Sequence, residues 1–270
     1  MGDIPLIIQP DPDEPEAAEL FVEGLLDGMH YCFLLDTGAA KTRVLWDLYT
    51  STFESLGQHY SSGVFAGSSN DVITVPRIEV GPIAANDFTV IRANGDTQGM
   101  THLIGMDLLQ SHRCHFLFDE NRLLVDEADQ EETEYTFHPL MVDQKFHPYI
   151  PLKFGEVTAN AVWDTGASIT IVDMAYVQAH PDFFHEVSTS TGTDSTGTSM
   201  ETPMYIMAPA LIGDIFFPPH TIAGVDLSQV NAMIEVPMDF ILGYSTLRHA
   251  NWLFDFPRKQ WAITKIVPRL

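Results

Sequence analysis

The tripeptide Asp-Thr-Gly occurs twice in this chain, at Asp36-Thr37-Gly38 and at Asp164-Thr165-Gly166. Each copy closes an apolar run (Leu34-Leu35 and Val162-Trp163) and precedes a small residue, Ala39 or Ala167. The copies lie 164 − 36 = 128 residues apart in a chain of 270. One triplet is an ordinary turn signal. Two in matching settings predict a duplicated protein in which each half brings one carboxylate to a shared site. Paired carboxylates are a means of doing acid–base chemistry on water.

The duplication extends beyond the triplets. Leu20–Gly28 runs into Met29–Leu35, and Ile150–Glu156 into Val157–Trp163, each reading as strand, Gly turn, strand. After each triplet comes a β-like stretch and a short helix candidate, Trp46–Tyr49 in the first half and Asp173–Val177 in the second. Next comes a polar hairpin that reads as a mobile flap. The first spans Ser61–Pro76, with Gly67-Ser68-Ser69-Asn70 as its expected tip. The second spans Ser188–Pro203, with Asp194-Ser195-Thr196-Gly197 at the tip. Each half then ends on an apolar pair and a glycine, Leu103-Ile104-Gly105 and Ile241-Leu242-Gly243, followed by Phe116–Asp119 or Trp252–Asp255. The spacing from Pro203 to Gly243 exceeds that from Pro76 to Gly105, so the second half carries an insertion, expected between Met207 and Val236. Three β-prone segments, Ile4–Gln9, Glu134–His138 and Gln260–Val267, are expected to form a small sheet joining the halves.

Bulk properties narrow the classes. A hydrophobic content of 45% with many Gly, Pro, Phe, Val, Ile and Thr favours a core built from short strands. A formal net charge of −24 repels nucleic acid and anionic lipid and serves solubility. Neither a secretory leader nor a run of membrane-spanning length is read, so a cytoplasmic location is the default expectation. Cys32 and Cys114 read as buried free thiols. The eleven histidines, His112, His115, His138 and His147 among them, form no metal-ligand spacing, and neither a metal nor a cofactor is expected. Trp163 and Trp252 read as core.

Asp-Thr-Gly-Ala twice, each followed downstream by apolar-apolar-Gly, resembles the aspartic peptidases. Ala39 and Ala167, a flap in each half and the size of each half make the resemblance closest to retropepsins, here two subunits fused in one polypeptide. It implies an all-β fold of two pseudo-twofold-related closed-barrel lobes with short helices and two flaps. The N-terminal lobe would span 17–127, an acidic linker and inter-lobe strand 128–145, and the C-terminal lobe 146–267. It also implies roles. Asp36 and Asp164 are the catalytic dyad. Thr37 and Thr165 bond each other's backbone, while Gly38 and Gly166 donate N–H groups to the carboxylates. Ala39, Ala167, Gly67, Ser68, Ser69, Asp194, Ser195, Thr196 and Gly197 line the cleft, and Gly105 and Gly243 let a strand thread behind each Asp loop. Viral retropepsins often pair an Asp after Asp-Thr-Gly-Ala with an Arg after the later Gly. Ala40, Ser168, Met106 and Tyr244 stand at those places, so that ion pair is missing, and covalent fusion makes it less necessary. The implied function is a monomeric aspartic endopeptidase acting on an extended peptide or protein substrate. Ala39 and Ala167 lack a hydroxyl to stabilise the ionised dyad, so a weakly acidic optimum is expected. A peptide- or partner-binding module using the same cleft is the alternative. A dimerising scaffold is less favoured, because the chain already contains its own partner.

Overall fold

The computed structural model describes residues 2–93, 99–126 and 135–268, without the side chains of Ser61 and Ser62. It is built mostly of β-strands, with a few short helices. In the first half, Ala18–Leu26 and Met29–Leu35 form a hairpin whose turn is Asp27-Gly28, both at positive φ. The short strand Leu103–Ile104 runs parallel to Met29–Leu35 (Leu34 opposite Leu103, Leu35 opposite Ile104). Beyond it lie Arg43–Leu45, Ile83–Ala93, Gly67–Val80 and Gly57–Ser62. A second pairing of Leu25 and Leu26 with Glu79 and Ile78 brings this sheet round on itself.

The second half repeats that order. Pro148–Phe154 pairs with Val157–Trp163, which runs parallel to Phe240–Leu242. Ile171–Asp173, His220–Val225, Ser199–Met207 and Phe184–Thr193 follow. Ala210–Ile212 returns to pair with Leu152 and Lys153, as Ile78 and Glu79 do with Leu26 and Leu25. Alternating burial along Ala18–Leu26 shows why these residues make strands: Ala18, Leu20, Val22, Gly24 and Leu26 face inward, and the residues between them face away.

A six-stranded sheet takes strands from both halves. Its order is Gly2–Pro5, Arg122–Val125, Arg113–Leu117, Ala250–Asp255, Gln260–Ile266 and His138–Pro139. The centre is a direct ladder between the halves, Cys114 opposite Phe254 and Phe116 opposite Trp252. Trp163, Trp252, Trp261, Phe116 and Phe254 are fully buried against this sheet, with the Trp163 ring centroid 4.4 Å from that of Phe254 and 4.6 Å from that of Phe116. The joining sheet is thus wider than the sequence predicts. Of the three expected segments, Ile4 and Pro5, His138, and Gln260–Ile266 take part. Ile7–Pro10 instead pairs with Ala18–Leu26, and Glu134 lies outside the described residues with most of the acidic run.

Other expectations need correction. Trp46–Tyr49 is not helical; the nearest helical turn is Thr50–Thr52. Asp47 accepts hydrogen bonds from the backbone N–H groups of Tyr49 and Thr50, an Asx arrangement that replaces the helix start. The second candidate forms as Met174–Ala179, with the Asp173 carboxylate accepting from the Ala175 N–H. Cys114 is buried, but Cys32 points outward on Met29–Leu35 opposite Glu23. The insertion divides in two. Ala93 and Val225 hold matching places, beside Leu45 and Asp173. Pro203 to Val225 is five residues longer than Pro76 to Ala93, and Val225 to Gly243 six longer than Ala93 to Gly105. The second portion contains the short helix Ser228–Asn231.

Gly105 and Gly243 lie where two backbones nearly touch. A Cβ on Gly105 would sit 2.6 Å from the Lys41 carbonyl carbon, and one on Gly243 2.5 Å from the carbonyl oxygens of Ala167 and Ile169. Backbone cannot yield as a side chain tip can. Gly105→Val or Gly243→Val is therefore expected to cost about 3 kcal/mol or more. Thermal unfolding of the purified variants checks this. A loss below 1 kcal/mol would show that the loops tolerate spreading.

Candidate active site

Each Asp-Thr-Gly turn leaves the end of a strand and is held from behind by the short strand beside it. The Asp36 N–H donates to the Ile104 carbonyl (2.9 Å) and the Asp164 N–H to the Leu242 carbonyl (3.0 Å). The Met106 and Tyr244 N–H groups return to the Ala39 and Ala167 carbonyls, both at 2.8 Å. Inside the first loop, Thr42 Oγ1 donates to Asp107 Oδ1 (2.7 Å) and accepts from the Gly105 N–H (3.1 Å). Thr170 takes the same place in the second, sharing a hydrogen bond with Thr246 (2.6 Å) and accepting from the Gly243 N–H (3.1 Å).

The two turns meet. The Thr37 N–H donates to Thr165 Oγ1 (3.1 Å) and the Thr165 N–H to Thr37 Oγ1 (3.0 Å). Thr37 Oγ1 in turn donates to the Trp163 carbonyl (2.9 Å), tying the turn to the aromatic core. Both threonines are fully buried. The exchange brings the Asp36 and Asp164 carboxyls together. One N–H, that of Gly38, lies 3.0 Å from Oδ1 of each. The Gly166 N–H adds a bond to Asp164 Oδ1 (2.8 Å). Neither glycine can be larger: a Cβ on Gly38 would sit 2.4 Å from Asp164 Oδ2, and one on Gly166 2.4 Å from Asp36 Cγ.

Burial lifts both carboxyls above the ordinary range. Asp36 is raised further, because the Asp164 charge acts on it and it hydrogen-bonds to that carboxylate; the Arg43 guanidinium and the Gly38 N–H oppose the rise. Asp164 collects two backbone donors, which favour its ionised form. The pair therefore holds one proton over an extended pH range, and the titration belongs to the pair as a unit.

Above the carboxyls lies a cavity of about 580 Å³. Ala39, Ala167, Asp194 and Ser195 line it as expected from the sequence; Gly67, Ser68, Ser69, Thr196 and Gly197 do not. Gly67-Ser68-Ser69-Asn70 is no tip: these residues pair with Ser62, Ser61, Tyr60 and His59 in the returning strand. The first hairpin turns at Gly63–Ala66, where the Gly63 N–H donates to the Ala66 carbonyl (2.8 Å). Val64 and Phe65 read as strand residues because they are apolar, yet they pack on the second half's apolar cluster around Val225, Met238 and Ile241. The second tip falls where expected, between Thr193 and Ser199. The two tips are fastened together. Asp194 Oδ2 accepts from the Phe65 N–H (2.8 Å) and the Ala66 N–H (3.2 Å), and its other oxygen accepts from Thr196 and Thr198.

Sequence reasoning passed over several lining residues, notably Glu19, Arg43 and His147. His147 Nδ1 lies 2.7 Å from Asp143, holding that carboxyl below its usual range against the effect of burial. The other three histidines singled out in the sequence go elsewhere: His112 bonds Asp126, His115 bonds Thr264, and His138 packs on Trp261. Among the described residues no group of three or more His, Cys, Asp or Glu is gathered to hold a metal ion. No helix among them is long and apolar enough to cross a membrane. Compared with protein-family models and with curated proteins, the chain matches none.

Proposed function

We propose that this chain is an aspartic endopeptidase of the retropepsin-like kind, two lobes about a pseudo-twofold axis fused in one polypeptide. One observation carries the reading: two carboxyls from equivalent turns of a repeated chain share the Gly38 N–H at the floor of a cleft roofed by two hairpins. Structural turn caps do not require burial against a like charge. The chemistry follows from the single shared proton. The ionised half of the dyad takes a proton from a water molecule while the other half protonates the peptide carbonyl oxygen, giving a neutral gem-diol. Collapse of the gem-diol breaks the C–N bond as a proton passes to the leaving amine. The products are a carboxylic acid and an amine, and the dyad regains its starting state. Peptide entry requires the Asp194 bonds to Phe65 and Ala66 to open, and their closure excludes water.

Turnover needs the singly ionised dyad. Because burial raises both carboxyls, the active window lies above the ordinary carboxylate range, and kcat/KM is expected to peak in weakly acidic solution. A pH profile with its maximum near 2 would contradict this. The test of the function is digestion of a peptide library read by mass spectrometry, with and without pepstatin. Cleavage that pepstatin blocks and that Asp36→Asn and Asp164→Asn abolish supports the peptidase. Peptides bound but left intact by the wild-type protein would favour the binding module, and identical behaviour of wild type and Asp36→Asn would end the enzymatic reading.

A further inference from the structure

The offset of 128 residues that relates Asp36 to Asp164 also relates Arg43 to Ile171, and both line the cleft. Their seats match. Arg43 opens Arg43–Leu45, which runs parallel to Ile83–Ala93; Ile171 opens Ile171–Asp173, which runs parallel to His220–Val225. One side of the repeated cleft thus carries a guanidinium where the other carries a butyl group. Around Ile171 the wall stays apolar, with Val225, Met233, Ile234, Met238 and Ile241.

Arg43 is 7% exposed, and among the described residues its hydrogen bonds go to uncharged acceptors. Nε and Nη2 donate to the Thr101 carbonyl (3.4 and 3.2 Å), and Nη1 donates to the Ser195 carbonyl at the second flap tip (2.6 Å). A guanidinium has five N–H donors, so two have no acceptor among the described residues. A buried cation is costly without a counter-charge. Two acids face it electrostatically, Asp36 and Asp194. Asp36 shares a single proton with Asp164, and Asp194 spends its oxygens on the backbone of both flap tips. The chain has only 13 Lys and Arg against 37 Asp and Glu, yet it keeps this cation beside the dyad with no direct carboxylate partner among the described residues.

We propose that Arg43 is a specificity-determining residue that binds the side-chain carboxylate of an Asp or Glu in the peptide, on one side of the scissile bond, while the Ile171 seat takes an aliphatic side chain on the other. The cleft then has a direction, although the fold that builds it is repeated. This rests on the peptidase reading and names its substrate class.

The test is the cleavage pattern of a randomised peptide library, followed by kcat/KM on matched peptides that carry Glu or Gln at the selected position. Acidic residues should be enriched at one position on one side of the cut, and aliphatic residues at the mirrored position. The Glu peptide should be preferred by about tenfold or more, as expected for a charge-assisted pair in a closed cleft. Arg43→Leu should reduce that ratio to about twofold or less, and Arg43→Leu combined with Ile171→Arg should move the acidic preference to the mirrored position. If Arg43 only latches the Ser195 carbonyl, Arg43→Leu will weaken both peptides equally and the wild type will show no acidic preference, which overturns the proposal. Should the variants fail to fold, the wild-type library and the Glu/Gln pair decide alone. If nothing is cleaved, the peptidase reading fails separately. Fluorescence anisotropy of the same labelled peptides then decides: tighter Glu binding upholds the Arg43 seat, and equal binding removes it.

Discussion

Asparagine in place of Asp36 is expected to make the protein more stable at pH 7–8 while erasing hydrolysis. The stability gain comes from linkage. Burial and the Asp164 charge raise the folded-state pKa of Asp36 well above its ordinary value. Below about pH 4 the carboxyl is protonated in both folded and unfolded chains, so it leaves stability unaffected by pH. As pH rises through the unfolded value, the unfolded chain gives up its proton first. The folded state then binds more protons than the unfolded one, and stability falls with pH at up to about 1.4 kcal/mol per unit until the folded value is passed. Asp36→Asn removes that penalty. Variant and wild type should therefore unfold alike near pH 4 and diverge above it, the variant melting higher by roughly 2–4 °C for each kcal/mol gained. Scanning calorimetry across pH 4–8 measures the divergence. An equal offset at both ends of the range would mean that the buried charge is no burden. Asp164→Asn should behave in the same direction with a smaller gain, since two backbone donors already stabilise its ionised form.

The second large effect concerns Thr37. Its hydroxyl accepts from the Thr165 N–H and donates to the Trp163 carbonyl, and both residues are fully buried. Thr37→Val keeps the shape and removes both partners, leaving a buried donor and a buried acceptor without bonds. At about 1–3 kcal/mol for each of the two orphaned groups, the cost is roughly 2–6 kcal/mol, a large share of a typical folding free energy. Thr37→Ser restores the oxygen and should recover most of the loss. Thr165→Val should cost less. Thr165 Oγ1 accepts the Thr37 N–H, but its own contact with Thr37 Oγ1 is a long 3.5 Å. Denaturant unfolding of the three variants ranks them, and equal losses for Thr37→Val and Thr165→Val would refute the asymmetry. Activity should follow the same order, because these bonds fix the spacing of the carboxyls.

The sequence made the dyad legible because an identical tripeptide in identical surroundings survives as a pattern. It also exposed the strand-turn-strand entry to each turn and the glycines behind it, where local chemistry and tertiary need agree. The first flap was misplaced for the opposite reason. Gly67-Ser68-Ser69-Asn70 has turn composition but is held as strand by its partners, whereas Val64 and Phe65 have strand composition but turn, because the far half offers them an apolar seat and Asp194 takes their backbone donors. Trp46–Tyr49 failed similarly, with one Asp47 carboxylate redirecting the backbone. Cys32 was misjudged from its neighbours, since in a strand only every second residue faces the core. Arg43 left one unused signal: Thr42-Arg43-Val44 lies opposite Thr170-Ile171-Val172 at the repeat offset, a charge set against an alkyl chain between matching neighbours.

The ladder that joins Arg113–Leu117 to Ala250–Asp255 has a bearing on how the molecule would withstand being nicked. Its hydrogen bonds run between the halves, and Gly2–Pro5 and His138–Pro139 occupy the outer edges of the same sheet. The peptide between residues 126 and 135 is thus not what holds the halves in register. Severed there by an added protease site, the two fragments should elute together as one particle and part only in denaturant.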